Sequence, residues 1–586
     1  MESSGHFRRV DFTAPNYMAL SLFRIALAVF LFVDFEVSVR SHYQDFFGPA
    51  GILPLSDLAH DTNVWGLPAL LPLIVTFEWL RLPSILPYGY PFFLALLGLG
   101  YRTRLSLAIV FAFHTYLFWR NPYLRSGADV LAQALLLWCV FVPLNRYFSV
   151  DAALDDRVAP CESGWFGITA LRLQVAAVYV FSGLYKLLGT PWREGTAVEW
   201  ALSDSIFGST ALSGVFVSNL RPFLYVANYA IVVFQLCFPL LVYAPFVKSP
   251  LKMAAIGTAA AMHISFIVLL NVGSFPYLSL LCLLILIPDA WLPRLVHSST
   301  NKVAIYYDPA CIFCKKVSFL LRAFVLAGRG YVYPAGAHAG TYELLRSTGS
   351  WIVRDVQGQD HLKARGLLFL LRQNVLSRPF AELLDRRALH AGLDAVYDWI
   401  GNRRRALSRA ARVLLPERSD RPLGMASRYT CLGLSALMLL SSVEGLMLRV
   451  TSVQTPPAVQ HAVAALQVRQ RWALFAPVPS HYKWEFELDM IGADAARKDL
   501  VPLLHDPPFW TDASGKLHFA SRRWLKYFTN YDQFSEAAWA GMGRYLCARS
   551  ASLGARAIDL GISLIPAAGG GRGDEERRRF ECIVPA

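Results

Sequence analysis

Charge is scarce in this chain. Of its 586 residues only 17% are Asp, Glu, Lys or Arg, while 55% are hydrophobic and the mean hydropathy is +0.38. Soluble domains carry about a quarter charged residues, so the balance argues against a wholly soluble enzyme. Cysteine is sparse as well, with nine in the whole chain, too few for a disulfide scaffold. No Gly-x-Ser-x-Gly or His-Glu-x-x-His sequence occurs, and no internal repeat stands out. Acidic residues number 42 against 56 Lys plus Arg, a formal charge of +14. In a soluble protein that excess would point to nucleic acid. Among long apolar runs it marks cytoplasmic loops and anionic lipid instead, and no nucleic-acid partner is expected. Disordered, collagenous and small disulfide-rich classes are excluded.

What the chain does have is long apolar runs. A span needs about 20 mostly apolar residues to cross ~30 Å of hydrocarbon. Candidates are Asn16–Phe35, Pro87–Tyr101, Leu105–Trp119, Asp129–Leu144, Phe166–Leu187, Phe223–Tyr243, Met253–Leu270, Phe275–Leu292 and Arg428–Leu446. Leu67–Leu80 is short and proline-punctuated, and reads as an interfacial or half-length helix. The fold class is therefore a polytopic α-helical membrane protein of about nine spans, with a C-terminal extramembrane segment and an insert at 302–405 whose texture, a strand feeding a Cys-x-x-Cys pair at a helix start, reads as an α/β thioredoxin-like domain. Four parts follow: 10–295, 302–405, a final helix over 428–447, and 450–586. With Leu67–Leu80 not crossing, Arg120, Arg125 and Arg193 fall on one side, near membrane ends, while Arg8 and Arg9, Arg102 and Arg104, Arg146 and Arg157, and Lys248 and Lys252 fall on the other, as does the basic run Arg403–Arg412. By the positive-inside rule that side is cytoplasmic, which leaves residues 450–586 outside, in a membrane expected to be the bacterial inner membrane.

The insert is less apolar and more patterned. Lys302–Asp308 reads as a buried strand that feeds Pro309-Ala310-Cys311-Ile312-Phe313-Cys314 and then a helical pattern over Lys315–Leu326. A thiol at a helix N-terminus meets the positive end of the helix dipole and unpaired N–H groups, which favour thiolate. The spacing lets a second sulfur resolve a mixed disulfide. Cys311 is the expected attacking thiol and Cys314 the resolving one, with Lys315 and Lys316 adding favourable charge. A structural pair and half of a zinc site are the other readings. The second lacks a further Cys-x-x-Cys or a His pair, His338 and His361 being isolated, so no metal is expected. The stretch Tyr307–Cys314 resembles the Asp-x-x-Cys-x-x-Cys signature of the DCC thiol-disulfide oxidoreductase-like family. Trp351–Asp355 with Gly358, and Val396–Arg403, resemble that family's middle strand and terminal helix. Pro309 departs from the glycine common there.

Ionisable residues inside spans are costly and count as functional candidates. Arg24 and Asp34 sit in the first span, and His114, Asp129, Arg172, Lys186 and His263 in or near later ones. Gln174, Tyr179, Ser182 and Lys186 recur at roughly helical spacing, so some could share an inward face. Lys186 could serve there as a neutral amine base, or could simply snorkel to the interface. The stretch Tyr179–Gly195 resembles the Tyr-x-x-x-Gly-x-x-Lys…Trp-x-x-Gly region of vitamin K-dependent gamma-carboxylase and its bacterial HTTM-domain relatives. Phe23-Arg24-Ile25 with Asp34, Asp45–Pro54, Tyr147–Asp151 and His263 follow in the expected order. The resemblance implies that Lys186 matches the base that deprotonates reduced vitamin K, with O2 and CO2 as co-reactants. Asn121 is present, but Pro122 stands where carboxylases carry histidine, a form typical of the wider HTTM group.

Arg469–Pro479 resembles the Gln-x-Trp-x-Met-Phe-x-Pro element that often follows in HTTM proteins. Arg522–Phe528 is basic and aromatic and reads as an interface anchor. Cys547 and Cys582 could bridge if that part is extracytoplasmic, and Gly569–Gly573 reads as a flexible tail. The catalytic candidates are Cys311, Cys314 and Lys186, and the substrate-binding candidates are Arg24, Asn121, Asp129, Tyr179 and His263. The expected activity is that of a membrane thiol-disulfide oxidoreductase with a quinone-carboxylase-like membrane domain. Its redox group is the dithiol itself, a reduced quinone is the cofactor the resemblance implies, and its partners are the bilayer and a protein dithiol or peptide. Glutamate carboxylation, or a nonenzymatic transport, immunity or scaffold role, is the alternative. Lys186 is expected to lie across the bilayer from Cys311.

Overall fold

The computed structural model describes residues 15–582 except 62–66, 156–164, 209, 290, 293–302, 329, 417–423, 452–453, 467, 493, 514–515 and 567–573. Arg8, Arg9, Arg157, Lys302 and the Gly569–Gly573 stretch lie outside the described residues. The membrane part is built from α1 (Tyr17–Ser38), α2 (Leu67–Trp79), α3 (Leu82–Leu99), α4 (Thr103–Arg120), α5 (Gly127–Cys139), α6 (Trp165–Leu187), α7 (Arg221–Tyr243), α8 (Ser249–Leu269) and α9 (Phe275–Cys282).

Six helices among the described residues are long and apolar enough to cross a membrane: α1, α3, α6, α7, α8 and the later helix over Met425–Met447. The expected count of about nine thus comes down to six by length and composition. Three of the expected spans fall short for different reasons. Helix α4 has 18 residues but carries Arg104, His114 and Arg120. Helix α5 stops at Cys139, and α9 tightens into a 3-10 turn over Leu283–Leu286. Helix α2 is a 13-residue helix interrupted by Pro72, as the half-length reading anticipates.

Burial in this part is inverted relative to a soluble protein. Val33, Val37, Phe92, Val226, Val233 and Leu240 face outward, while Arg24, Arg120, Asn121, Asp129, Gln174, Lys186, Asn228 and His263 are buried. In hydrocarbon, polar groups must find partners inside the protein. Helix α6 is the centre: 72% of its most apolar stretch is buried, against 28% for α7 and α8. The start of α1 is tied down by Asp289, whose carboxylate accepts from the Met18 and Ala19 amides at 2.9 and 3.0 Å. These amides have no partner within the helix, and a negative group at a helix start is favoured.

After the bundle comes a sheet of β1 (Ala304–Tyr307), β2 (Tyr331–Pro334), β3 (Ile352–Arg354) and β4 (Asp360–Leu362), in the order β2-β1-β3-β4. Strand β1 is parallel to β2 and antiparallel to β3, which is antiparallel to β4. Helix α10 (Ile312–Phe324) follows β1, and the basic helix α11 (Arg404–Leu414) packs across it. Phe324 and Ala327, at and just past the end of α10, share an apolar cluster with Met18, Ala19, Tyr147 and Phe148, so this unit sits at the end of the bundle where α1 begins.

Helix α12 (Met425–Met447) returns along α6 to the other end. There a second sheet forms from β5 (Tyr482–Ile491), β6 (Arg497–Asp499), β9 (Ala557–Pro566) and β10 (Glu575–Glu581), in the order β10-β9-β5-β6, beside a hairpin of β7 (Phe509–Thr511) and β8 (Leu517–Phe519). Between the strands lie α13 (Arg522–Thr529) and α14 (Glu536–Ser550). A Cys547–Cys582 disulfide ties α14 to the segment after β10.

The turn after α6 meets the C-terminal chain at very close range. A Cβ on Gly189 would fall 1.7 Å from the Pro477 carbonyl oxygen, whereas one on Gly214 would meet nothing within 4 Å. Gly189→Ala is therefore expected to cost about 1–3 kcal/mol of stability, the usual range for overpacking. A lower thermal midpoint in detergent, set against an unchanged or raised one for Gly214→Ala, checks this.

Candidate functional site

A cavity of about 920 Å³ lies between α6, α7 and α8 and is roofed by the C-terminal chain. Helix α6 directs Tyr179, Ser182 and Lys186 to it; spacings of three, four and seven place them on one helical face. Lys186 is only 4% exposed. Its Nζ donates to the Leu474 carbonyl at 2.9 Å and stands 4.9 Å from the Trp192 ring centre. The ammonium thus turns into the protein instead of snorkelling outward. Ser182 Oγ donates to the Trp472 carbonyl at 3.1 Å, and Trp192 Nε1 to the Phe475 carbonyl at 2.8 Å. The stretch Trp472–Phe475 therefore supplies a row of carbonyls to the end of α6, which is what the Gln-x-Trp element does in the fold.

Tyr179 Oη and His263 Nε2 are 2.8 Å apart, joining α6 to α8. Besides Arg523 Nε, two buried atoms at the cavity have no hydrogen-bond partner among the described residues: His263 Nδ1 and Gln235 Oε1. A bound molecule with hydrogen-bonding groups would satisfy both. The rest of the wall is largely apolar, with Phe216, Ile231, Phe234 and Phe266 among its residues.

At the other side of the cavity lies an ion network that the sequence does not reveal. Arg523, on α13, donates to Asp129 from both guanidinium ends, at 2.6 and 3.0 Å, and to Asp34 at 2.6 Å. Ser274 Oγ also donates to Asp34. Burial works against the Arg523 charge, but the two carboxylates more than offset it and hold its pKa above the ordinary arginine value. Asp129 also accepts from the Ser126 amide, closing the cap of α5. The expectation that Arg522–Phe528 is an interface anchor is corrected for Arg523, which is buried in this network. The pull of two unpaired carboxylates outweighs any interfacial preference. Neighbouring Lys526 also lines the cavity, and burial lowers its pKa below the usual lysine range.

Of the expected substrate-binding residues, Tyr179 and His263 line the cavity, and Asp129 reaches it through Arg523. Arg24 and Asn121 are not among its lining residues. Arg24 donates to the carbonyls of Leu144, Gly98 and Phe148, holding together loops at the opposite end of the bundle. Asn121 donates to the Phe46 carbonyl at 3.3 Å and so steadies the Asp45–Gly51 turn, while its Oδ1 has no partner. That turn is a docking surface: Asp45 accepts from Tyr545, and Phe46 packs 5.0 Å from the Trp524 ring. Gln174 leaves the expected inward face and pairs with Gln470, which Trp472 also contacts. His114 meets Tyr90 at 3.1 Å, away from the cavity.

The close cysteine pair lies at the far end. Cys311 caps α10, its Sγ accepting from the Cys314 amide at 3.1 Å, and the two sulfurs are bonded. Asp308 holds the preceding turn by accepting from the Ala310 amide at 2.9 Å. Pro309 and Ala310 are exposed, whereas Cys311 is 6% exposed. The Phe313 amide donates to Ser408 Oγ at 3.2 Å, which places α11 beside the pair. Lys316 does not face the sulfurs as expected: its ammonium donates to the Ala411 and Leu415 carbonyls, because the end of α11 has unpaired acceptors to fill. Of the described residues, only His42, Asp45 and Asp506 come close enough to hold a metal, and they lie apart from both places.

Residues 58–291 match the family model of the HTTM domain. The match takes in Asn121, Asp129, Tyr179, Lys186 and His263, but not Arg24, Asp34, Cys311, Cys314 or Arg523. No solved structure matches the chain. The apolar helices and the HTTM match together make this an integral membrane protein.

Removing Arg523 strands the buried Asp129 and the partly buried Asp34, and breaking a buried pair typically costs about 3–5 kcal/mol. Arg523→Ala is expected to lower the thermal midpoint in detergent sharply. Adding Asp34→Asn and Asp129→Asn to that variant should recover part of the loss. No recovery would mean that Arg523 acts through packing alone.

Proposed function

We propose that this chain is a membrane redox protein with its dithiol and its lipid-accessible cavity at opposite ends. The dithiol half rests on one observation: a strand of a β2-β1-β3-β4 sheet runs straight into Cys311 at the cap of α10. That order, with β3 antiparallel to β1, is the arrangement expected of a thioredoxin-like unit, and it supports the DCC-like reading of residues 302–405. The helix start favours thiolate at Cys311. Reduced Cys311 attacks a partner disulfide, forming a mixed disulfide and expelling one partner thiolate. Cys314 then attacks Cys311 Sγ, releasing the second thiolate and closing the Cys311–Cys314 bond. Two electrons pass to the partner, and a protein dithiol returns them by the reverse exchange. Approach is over the exposed Pro309–Ala310 turn, since α11 occupies the neighbouring side.

The cavity half takes a lipid-soluble substrate, and the residues fit a reduced quinone. Gln235 Oε1 offers a free acceptor to a ring hydroxyl, His263 Nδ1 a second polar contact, and Lys186 an amine, with aromatic walls around them. A quinone bound there would supply two-electron chemistry. Tyr179 orients His263, and the Trp472–Phe475 carbonyls hold Lys186 at the cavity. Glutamate carboxylation is the second reading, favoured by the place of Lys186. Against it stand Pro122 and the position of Asn121, which supports a turn instead of lining the cavity.

We place the dithiol in the cytoplasm of a bacterial inner-membrane protein and the C-terminal region outside. The basic α11 and the bridged Cys547–Cys582 pair both support that sidedness, since structural disulfides persist in oxidising compartments.

In reconstituted full-length protein, Cys311→Ser is expected to abolish reduction of a protein disulfide, and Cys314→Ser to accumulate the mixed disulfide. Lys186→Ala should leave that exchange unchanged while weakening hydroquinone binding. Full disulfide reduction by Cys311→Ser would sink the dithiol half. Membrane-impermeant maleimide should reach Cys311 of reduced protein only from the cytoplasmic side.

A further inference from the structure

We propose that the cavity also binds an anionic amphiphile, with its acidic head against Arg522 and Lys526 and its acyl tail between α7 and α8. The proposal does not depend on a quinone or on the dithiol.

Three observations carry it. The first is an imbalance of charge. Four cations line the cavity, Lys186, Arg522, Arg523 and Lys526, and among the described residues only Arg523 forms direct ion pairs with carboxylates, Asp129 and Asp532 acting on Lys526 from farther away. Lys186 has only a carbonyl and an indole ring, and Arg522 lies 5.9 Å from the Tyr277 ring centre. Neither Arg522 nor Lys526 forms an ion pair among the described residues. Arg522 is exposed at the mouth and Lys526 half-buried behind it, so the two form a cationic rim where an acidic head can sit at the end of an apolar chamber.

The second is a way in from the bilayer. Phe223 and Val226 on α7, and Thr258 and Ala261 on α8, both line the cavity and are exposed on the outer surface of the bundle. Phe223 is 57% and Val226 63% exposed. The chamber is thus open sideways between two helices whose outer faces are lipid-facing, a route an acyl chain can take without entering water.

The third is unsatisfied polarity inside. Gln235 is 6% and His263 3% exposed, yet Gln235 Oε1 and His263 Nδ1 have no partner at the chamber wall. A ligand bearing hydroxyl or ester groups next to its head would reach polar atoms that the protein leaves open. Apolar walls, a cationic rim and a lateral opening together describe a molecule with one anionic end and one hydrocarbon end. A carboxylate on a free fatty acid and a phosphate on a membrane lipid share that chemistry.

The test uses delipidated full-length protein in detergent, titrated with a fluorescent C18 fatty carboxylate and with the C18 alcohol and amine of the same chain. The carboxylate is expected to bind at least about tenfold more tightly than either, the range set by one charge-assisted hydrogen bond. Competition by oleate against competition by phosphatidylglycerol distinguishes free acid from membrane lipid. Arg522→Ala with Lys526→Gln should lose that preference, bringing the carboxylate to the affinity of the alcohol. Lys483→Ala, an exposed cation elsewhere, should change nothing. Should the double variant not fold, Val226→Trp decides, because filling the lateral opening should weaken carboxylate and alcohol alike. Equal binding of alcohol and carboxylate by the unmodified protein overturns the proposal, as does an anion preference that survives in a folded Arg522/Lys526 variant. Unchanged binding in Val226→Trp overturns it too. Hydroquinone binding by Lys186→Ala is a separate readout, so failure here leaves the quinone reading standing.

Discussion

Arg523 is the residue on which the architecture turns. A single guanidinium from the C-terminal region reaches into the bundle and satisfies Asp34 of α1 and Asp129 of α5. Among the described residues neither carboxylate has another direct ion pair, and charge in a low-dielectric setting is costly without one. The bundle therefore needs the C-terminal region as much as that region needs a surface to dock on. Asn530 donating to the Tyr123 carbonyl and Tyr545 donating to Asp45 extend the same interface.

The same need for internal partners explains the chain just before β5. Gln470 answers Gln174, and the Trp472, Leu474 and Phe475 carbonyls accept from Ser182, Lys186 and Trp192. A segment outside the HTTM match thus completes the polar end of the most buried helix. The cavity belongs to no single stretch of sequence: its wall draws on residues from Asp34 to Lys526. Its lining is set where the helical bundle and the C-terminal chain meet.

The dithiol obeys a different constraint. Its placement is local, fixed by β1, the Asp308 turn and the first turn of α10, and it packs on the bundle end through Met18, Tyr147, Phe148 and Ala327, with Tyr101 donating to the Leu414 carbonyl of α11. The cysteine pair and the cavity thus lie at opposite ends of the helical bundle.

Local pattern was enough to read the apolar helices, the half-length helix with Pro72, the strand running into Cys311, and the placing of Tyr179, Ser182 and Lys186 on one face. These follow from backbone periodicity and hydrophobicity, which act over a few residues. The span count came out high because helices buried among others, such as α4 and α5, need not be long or wholly apolar. Arg24 and Asn121 looked like ligand-binding groups because a buried polar residue reads the same whether it meets a substrate or a backbone carbonyl. Arg523 went unrecognised because its partners are 394 and 489 residues away in the chain. Sequence by itself thus determined that this is a membrane protein with a close cysteine pair at a helix start, and left the direction of Lys186 open. Only the tertiary structure decided which buried groups face a cavity and which merely hold the fold, because satisfying a charge in an apolar medium depends on position in space and not on distance along the chain.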